Sequence, residues 1–216
     1  MRPELKKRII TSFFLSSLLL LMFEYYFILF LSSIIIGIIS WIELYALISK
    51  IYKKKTVKET IYRFIGKGIS LFYLSYVVFL LTLNTDLKIY IYFSILISIF
   101  TDIGGLTIGR IFKGKKLIKI SPNKTISGAI GSFCFSLLLI PFFMDQLNHL
   151  NIYLLIFLTL LISMTSQLGD LFISLLKRKA KVKDTSDLLP GHGGFLDRID
   201  GVIFAIPIGF FLLKSF

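Results

Sequence analysis

Long apolar runs with almost no polar interruption dominate this chain. "TSFFLSSLLLLMF" (11–23) and "NIYLLIFLTLLISM" (151–164) are apolar on every side when wound as helices. Helices of that kind are surrounded by lipid or by other helices. The whole composition agrees: 56% of the 216 residues are hydrophobic and 22 are Phe, so a soluble domain of this length would expose far more apolar surface than it could hide. The fold class expected is all-α, a polytopic integral membrane protein.

Seven candidate spans can be placed, at roughly 9–23, 25–48, 69–84, 88–109, 126–144, 151–173 and 201–214. No internal repeat and no Pro- or Ser-rich linker separates them, so 1–216 reads as a single membrane domain. The opening "MRPELKKRII" has the charge pattern of a signal peptide, but the apolar run continues without a small-x-small site and is expected to remain as the first span. Cys134 is the only cysteine and lies in an apolar run, so it is expected to serve packing.

Topology follows from the basic residues. All but Lys88 and Lys214 of the 25 Lys and Arg residues fall in four segments: the N-terminus, 50–67, 110–124 and 177–198. With seven spans these alternate, so the positive-inside rule puts the N-terminus in the cytoplasm and the C-terminus outside. The net charge of +13 therefore reads as a set of topology determinants and lipid head-group contacts; no nucleic-acid partner is expected.

Ionisable residues inside spans are costly and each raises a functional question. Glu43 in "SWIELYAL" lies near the cytoplasmic end of its span and fits a structural or a catalytic carboxylate equally. Asp102 in "TDIGGLTIGR" is accompanied by Gly104, Gly105 and Gly109, which permit close backbone approach, so packing and function stand level. Asp170 is more telling. Ser163, Ser166, Asp170, Ser174 and Lys177 recur at helical spacing and form one polar stripe leading toward the basic loop. A seam between helices explains the serines but not the carboxylate.

Two loops carry further chemistry. "GKKLIKISPNKTISG" (114–128) combines Lys, Ser, Asn, Thr and Gly, which suit phosphate, although it lacks the GxxxxGK[ST] pattern. "KDTSDLLPGHGGFLDRIDG" (183–201) is richer. Asp184, Asp187, Asp197 and Asp200 are hard oxygen donors suited to Mg²⁺. Gly191, Gly193 and Gly194 flank His192 and allow close approach to a phosphate. Lys177, Arg178, Lys183 and Arg198 add positive charge. Carboxylates for a metal beside cations for phosphates are the parts of phosphoryl or nucleotidyl transfer. With only two histidines, expected on opposite sides of the membrane, the sequence points away from zinc.

The stretch "SLLKRKAKVKDTSDLLPGHGGFLDRID" (174–200) resembles the C-terminal signature of the phosphatidate cytidylyltransferases, or CDP-diacylglycerol synthases. "SQLGD" (166–170) and "SPNKT" (121–125) match as well, and "WIEL" (41–44) does so more loosely. The resemblance implies a membrane enzyme that makes CDP-diacylglycerol and pyrophosphate from CTP and phosphatidate, with Mg²⁺ and a second cation. By analogy Asp170 and Asp197 hold the metals. Lys183, Asp184, His192 and Arg198 form the catalytic group. Ser121, Lys124, Thr125, Ser174, Lys177, Arg178, Gly193 and Gly194 bind substrate. The implied location is a bacterial inner (plasma) membrane, with the site facing the cytoplasm; the oligomeric state stays open, a homodimer being one option. The chain departs from the family pattern at Gly105-Leu106, where Ala-Tyr is usual, and at Ser127, where a Glu is usual. It is also shorter than many members. A CTP-dependent polyprenol kinase, or a synthase for another lipid phosphate, is the nearest alternative. A transporter of a phosphorylated metabolite is the alternative of another class, disfavoured by the absence of repeat symmetry.

Overall fold

The computed structural model describes residues 3–53, 56–82, 87–118 and 121–216. The order of elements is α1 (Pro3–Glu24), α2 (Tyr26–Ile51), α3 (Val57–Thr82), α4 (Lys88–Phe112), β1 (Lys116–Ile118), β2 (Ser121–Thr125), α5 (Ile126–Leu137), α6 (Ile140–Phe143), α7 (Ile152–Lys179), α8 (Leu196–Ile199) and α9 (Val202–Ser215). Among the described residues the fold is all-α apart from the short antiparallel pair β1–β2, in which Lys116 pairs with Thr125 and Ile118 with Ser121.

The expected spans fall largely on helix, residues 83–84 of the third lying outside the described residues, but among the described residues five helical segments are long and apolar enough to cross a membrane: α2, α3, α4, α5–α6 together, and α7. The outer two differ for physical reasons. α1 carries Lys6, Lys7 and Arg8 in its first turns. α9 has 14 residues, or ~21 Å at the helical rise, against the ~30 Å of a hydrocarbon core. A second difference concerns the basic segment after α2. Residues 57–68 are helix, because Thr56 Oγ1 accepts from Glu59 N–H at 3.2 Å and caps α3 twelve residues before the apolar run begins.

The surface and interior are arranged as lipid requires. Phe13, Phe27, Phe64, Phe72 and Tyr153 are exposed, while Ser40, Ser98, Ser136, Thr159, Ser163 and Ser166 are buried. Between helices in lipid, packing and small polar contacts replace the hydrophobic driving force.

The chain forms two compact units, the first from residues 1–84 and 175–199, the second from 85–174 and 200–216. In the first unit α2 packs on α1, α3 and α8. Leu29, Leu44, Leu47, Leu74, Val77, Leu80 and Leu196 are buried there. Lys67 Nζ of α3 sits 3.2 Å from the centroid of the Tyr45 ring on α2, a cation–π contact.

In the second unit α4 packs on α5 and α9 around Phe93, Ile97, Leu158, Ile162, Ala205 and Leu213. Ser98 and Ser166 hydroxyls meet at 2.7 Å, Thr101 and Ser163 at 2.8 Å, and Ser132 donates to the Thr101 carbonyl at 2.7 Å. The glycines of "TDIGGLTIGR" serve this packing. A Cβ on Gly104 would stand 2.5 Å from Gly131 O, and one on Gly105 2.8 Å from Ser132 Oγ. Asp102 is exposed on α4.

Candidate active site

The first unit builds its loop from local rules. α7 ends at Lys179 because Lys181 turns into the left-handed region, with φ 57°. Val182 N–H then donates to Lys177 O at 3.0 Å and Lys181 N–H to Arg178 O at 3.1 Å, the paired bonds of a Schellman ending. Leu189-Pro190-Gly191-His192 forms the next turn. His192 N–H donates to Leu189 O at 2.9 Å, and Gly191 has φ 78°. Proline second and a positive-φ glycine third are the demands of a type II turn. Leu189 and Gly193 then bridge as a minimal antiparallel pair.

Two carboxylates fasten this loop. Glu43 is buried in α2. Its oxygens accept from Thr185 Oγ1 at 2.7 Å, Ser186 Oγ at 2.6 Å, Phe195 N–H at 3.1 Å and Leu196 N–H at 2.9 Å. Asp197 Oδ1 holds Lys177 Nζ at 2.6 Å. Its Oδ2 accepts from Thr185 N–H at 2.8 Å, Thr185 Oγ1 at 3.0 Å and Gly194 N–H at 3.0 Å. Gly194 fits between these groups because it has no side chain: a Cβ would overlap Thr185 Oγ1 and stand 2.6 Å from both Glu43 oxygens. Burial pushes the Asp197 carboxyl up. The hydrogen bonds from Lys177, Thr185 and Gly194, with the Lys177 charge, outweigh it and leave the pKa below the ordinary carboxylate value.

Beside this frame lies an open cavity of about 520 Å³. Asp184 and Asp187 line it with Arg8, Lys183 and Arg198; His192, Gly191, Gly193 and Leu189 complete the wall. Arg198 Nη2 donates to His192 O at 2.6 Å, which fixes the guanidinium against the turn. His192 Nε2 lies 3.3 Å from Ser12 Oγ. Burial, then the charges of Arg198 and Arg8, lower the pKa of His192 against an opposing pull from the Pro190 backbone.

The second unit brings together other expected residues. Lys124 Nζ pairs with Asp170 Oδ2 at 2.5 Å, and Ser174 Oγ donates to Asp170 Oδ1 at 3.3 Å. Thr125 caps α5, accepting from Gly128 N–H at 3.0 Å, and Ser121 lies in β2 opposite Ile118. Ser127, at the family's Glu position, meets Thr125 Oγ1 at 3.1 Å and accepts from Gly114 N–H at 3.3 Å. Asp200 is buried and accepts from Gly201 N–H at 2.9 Å. Arg178 is exposed on the last turn of α7.

Sequence reasoning left Glu43 undecided and missed Thr11, Ser12 and Thr185. Glu43 carried a signal in being an acidic residue within an apolar helix. Its partners, more than 140 residues away, carried none.

Among the described residues no three His, Cys, Asp or Glu side chains cluster as a ready metal site. The carboxylates expected to hold cations nevertheless fit that task. Asp197 and Asp170 offer hard carboxylate oxygens of the kind Mg²⁺ takes, and each is paired with a lysine ammonium, Lys177 and Lys124.

Known proteins bear on this arrangement. A model of the cytidylyltransferase family matches residues 2–216. A phosphatidate cytidylyltransferase of Staphylococcus epidermidis is 46% identical over 122 residues, 55% of this chain and 46% of that protein. The Bacillus subtilis protein of the same name is 43% identical over 130 residues, 59% and 48% of the two chains. That of Staphylococcus haemolyticus is 40% identical over 149 residues, 67% and 54%. The chain thus spans about half the length of the curated relatives it matches. Because the family match runs through both units and the whole signature loop, the chain belongs to the cytidylyltransferase family.

Proposed function

We propose that this chain transfers the cytidylyl group of CTP to phosphatidate, forming CDP-diacylglycerol and releasing pyrophosphate. The observation that carries the reading is the cavity on the signature loop, where Asp184 and Asp187 share one wall system with Lys183, Arg198 and His192. The names of the relatives support the substrates.

In the reaction a phosphatidate oxygen attacks the α-phosphorus of CTP. The new P–O bond forms as the bond from the α-phosphorus to the bridging oxygen breaks, and pyrophosphate leaves with that electron pair. The acceptor is already an oxyanion, so no protein nucleophile is needed. The protein contributes position and charge neutralisation. Lys183 and Arg198 neutralise phosphate oxygens, with Lys177 and Arg178 adding charge along the same end of α7. Arg198 is pre-aimed by its bond to the His192 carbonyl. Asp184 orients the cations around it, and His192, neutral at pH 7, offers an uncharged ring to the cavity. Gly193 gives the substrate close access to backbone, while Gly194 holds the wall in place. Ser121, Lys124, Thr125 and Ser174 are assigned to substrate through the second unit, where Lys124 already reaches a carboxylate.

Asp170 and Asp197 are the residues assigned to Mg²⁺ and a second cation. When bound, such ions supply charge neutralisation for the triphosphate and polarisation of its α-phosphorus. The acyl chains of the lipid remain among the exposed aromatic side chains of the helices. Bacterial relatives and the clustered Lys and Arg support placement in a bacterial inner membrane with this loop toward the cytoplasm.

CTP labelled at different phosphates tests the reading. Label at the α-position should enter lipid and label at the γ-position should appear in pyrophosphate. Entry of γ-label into lipid would make the chain a kinase. No turnover in micelles would return the transporter.

A further inference from the structure

Arg8 lies on the second turn of α1 and lines the cavity together with Lys183 and Arg198. Two neighbours on the same helical face hold it there. Thr11 is buried, and its Oγ1 lies 3.0 Å from Pro190 O. Ser12 Oγ lies 3.3 Å from His192 Nε2. Positions 8, 11 and 12 differ by three and four, so they share one side of α1. The contacts fall on the two residues that flank Gly191 in the type II turn, so α1 is tied to the turn that shapes the cavity.

The ordinary explanation of a basic residue at the start of a membrane helix is contact with lipid head groups. Lys6, Lys7 and Arg8 are all exposed, but of the three Arg8 alone lines the cavity. Among the described residues it makes no ion pair or hydrogen bond, and its charge faces a polar cavity with two other cations. A guanidinium with no hydrogen-bond or ion-pair partner among the described residues is suited to bidentate capture of a phosphate.

We propose that Arg8 is a substrate-binding residue, gripping the phosphates of the nucleotide that leave as pyrophosphate, and that Thr11 and Ser12 are positioning residues that hold it over the loop. The identity of the nucleotide rests on the function proposed above; the phosphate grip does not.

The test uses the full chain, purified in detergent, and inorganic pyrophosphate with Mg²⁺ as the titrant. Arg8→Gln should weaken pyrophosphate binding about tenfold or more, as loss of a charged hydrogen-bonding partner does. Arg8→Lys should recover part of it, and Lys7→Gln should bind like the wild type. Thr11→Val should weaken binding while leaving the Arg8 side chain present. Elution volume and thermal midpoint report whether each variant is folded, and Arg8→Lys and Thr11→Val keep the test decisive should Arg8→Gln misfold. Wild-type affinity in Arg8→Gln, an equal loss in Lys7→Gln, or no binding by the wild type would each overturn the inference. Pyrophosphate binding that depends on Arg8 in a protein without CTP turnover would sink the proposed reaction and leave the Arg8 assignment standing.

Discussion

Thr185 Oγ1 donates to Glu43 Oε2 at 2.7 Å, across 142 residues of chain. The contact fastens the loop after α7 to the interior of α2. Glu43 also receives the Phe195 and Leu196 N–H groups, which open the short helix bearing Asp197. An apolar helix thus keeps one carboxylate to anchor the polar loop.

Removing that anchor should cost stability and activity together. Glu43→Ala leaves the Phe195 and Leu196 N–H groups and the Ser186 hydroxyl without an acceptor, while Thr185 keeps its bond to Asp197, and each orphaned buried donor costs about 1–3 kcal/mol. Glu43→Gln should recover little, since its amide group turns donors toward donors. Thermal unfolding in detergent checks this, and an unchanged midpoint in Glu43→Ala would remove the anchor role.

Gly194→Ala should be more damaging than its size suggests. The added methyl overlaps Thr185 Oγ1 and crowds both Glu43 oxygens. Overpacking of this kind costs about 1–3 kcal/mol, and here it also displaces the frame around Asp197. Turnover should fall at least ~10-fold, because each 1.36 kcal/mol at the reacting centre is tenfold in rate. Wild-type kinetics would show that the loop tolerates movement.

The ion pair between Lys177 and Asp197 gives a separable prediction. Its side chains are 14% and 4% exposed, so the carboxylate cannot rely on water. Lys177→Met should destabilise by about 1–3 kcal/mol, because Asp197 loses its charged partner but keeps the hydrogen bonds from Thr185 and Gly194. Asp197→Asn and Asp170→Asn should each abolish turnover while the protein still inserts. Retained activity in either would remove that residue from the cation assignment.

His192 gives a pH dependence with a definite sign. Its folded pKa lies below the ordinary histidine value, so the folded state resists protonation. That penalty is absent at high pH. It begins as pH falls through the unfolded value near ~6.5 and is complete below the folded one. Arg198, Arg8, Lys183, Asp184 and Asp187 line the same cavity as the ring, and protonation adds charge beside Arg198 and Arg8. The thermal midpoint of the wild type relative to His192→Gln should therefore decline from pH 8 to pH 5. A gap that stays constant or widens would contradict the placement of the ring.

Much of this was legible in the sequence because lipid imposes a simple code. Runs such as 151–164 identify helix without help from tertiary structure, and the signature from Ser174 to Asp200 identifies the family. The start of α3 was hidden because Lys58, Arg63 and Lys67 resemble a loop, although Thr56 and Glu59 already spelled a capping box. The β1–β2 hairpin had no strong alternation to announce it. Lys124 and Asp170, expected to serve substrate and a cation, form an ion pair with each other. The role of Glu43 was out of reach because spacing along one helix says nothing about a partner loop 142 residues away. Arg8 was read as a topology charge for the same reason.

The most direct measurement is pyrophosphate release from CTP and Mg²⁺ by the purified chain, with and without phosphatidate. Release that requires the lipid, and that disappears in Asp197→Asn, is the expected result. Release indifferent to phosphatidate, or none under either condition from folded protein, would contradict cytidylyl transfer by this chain.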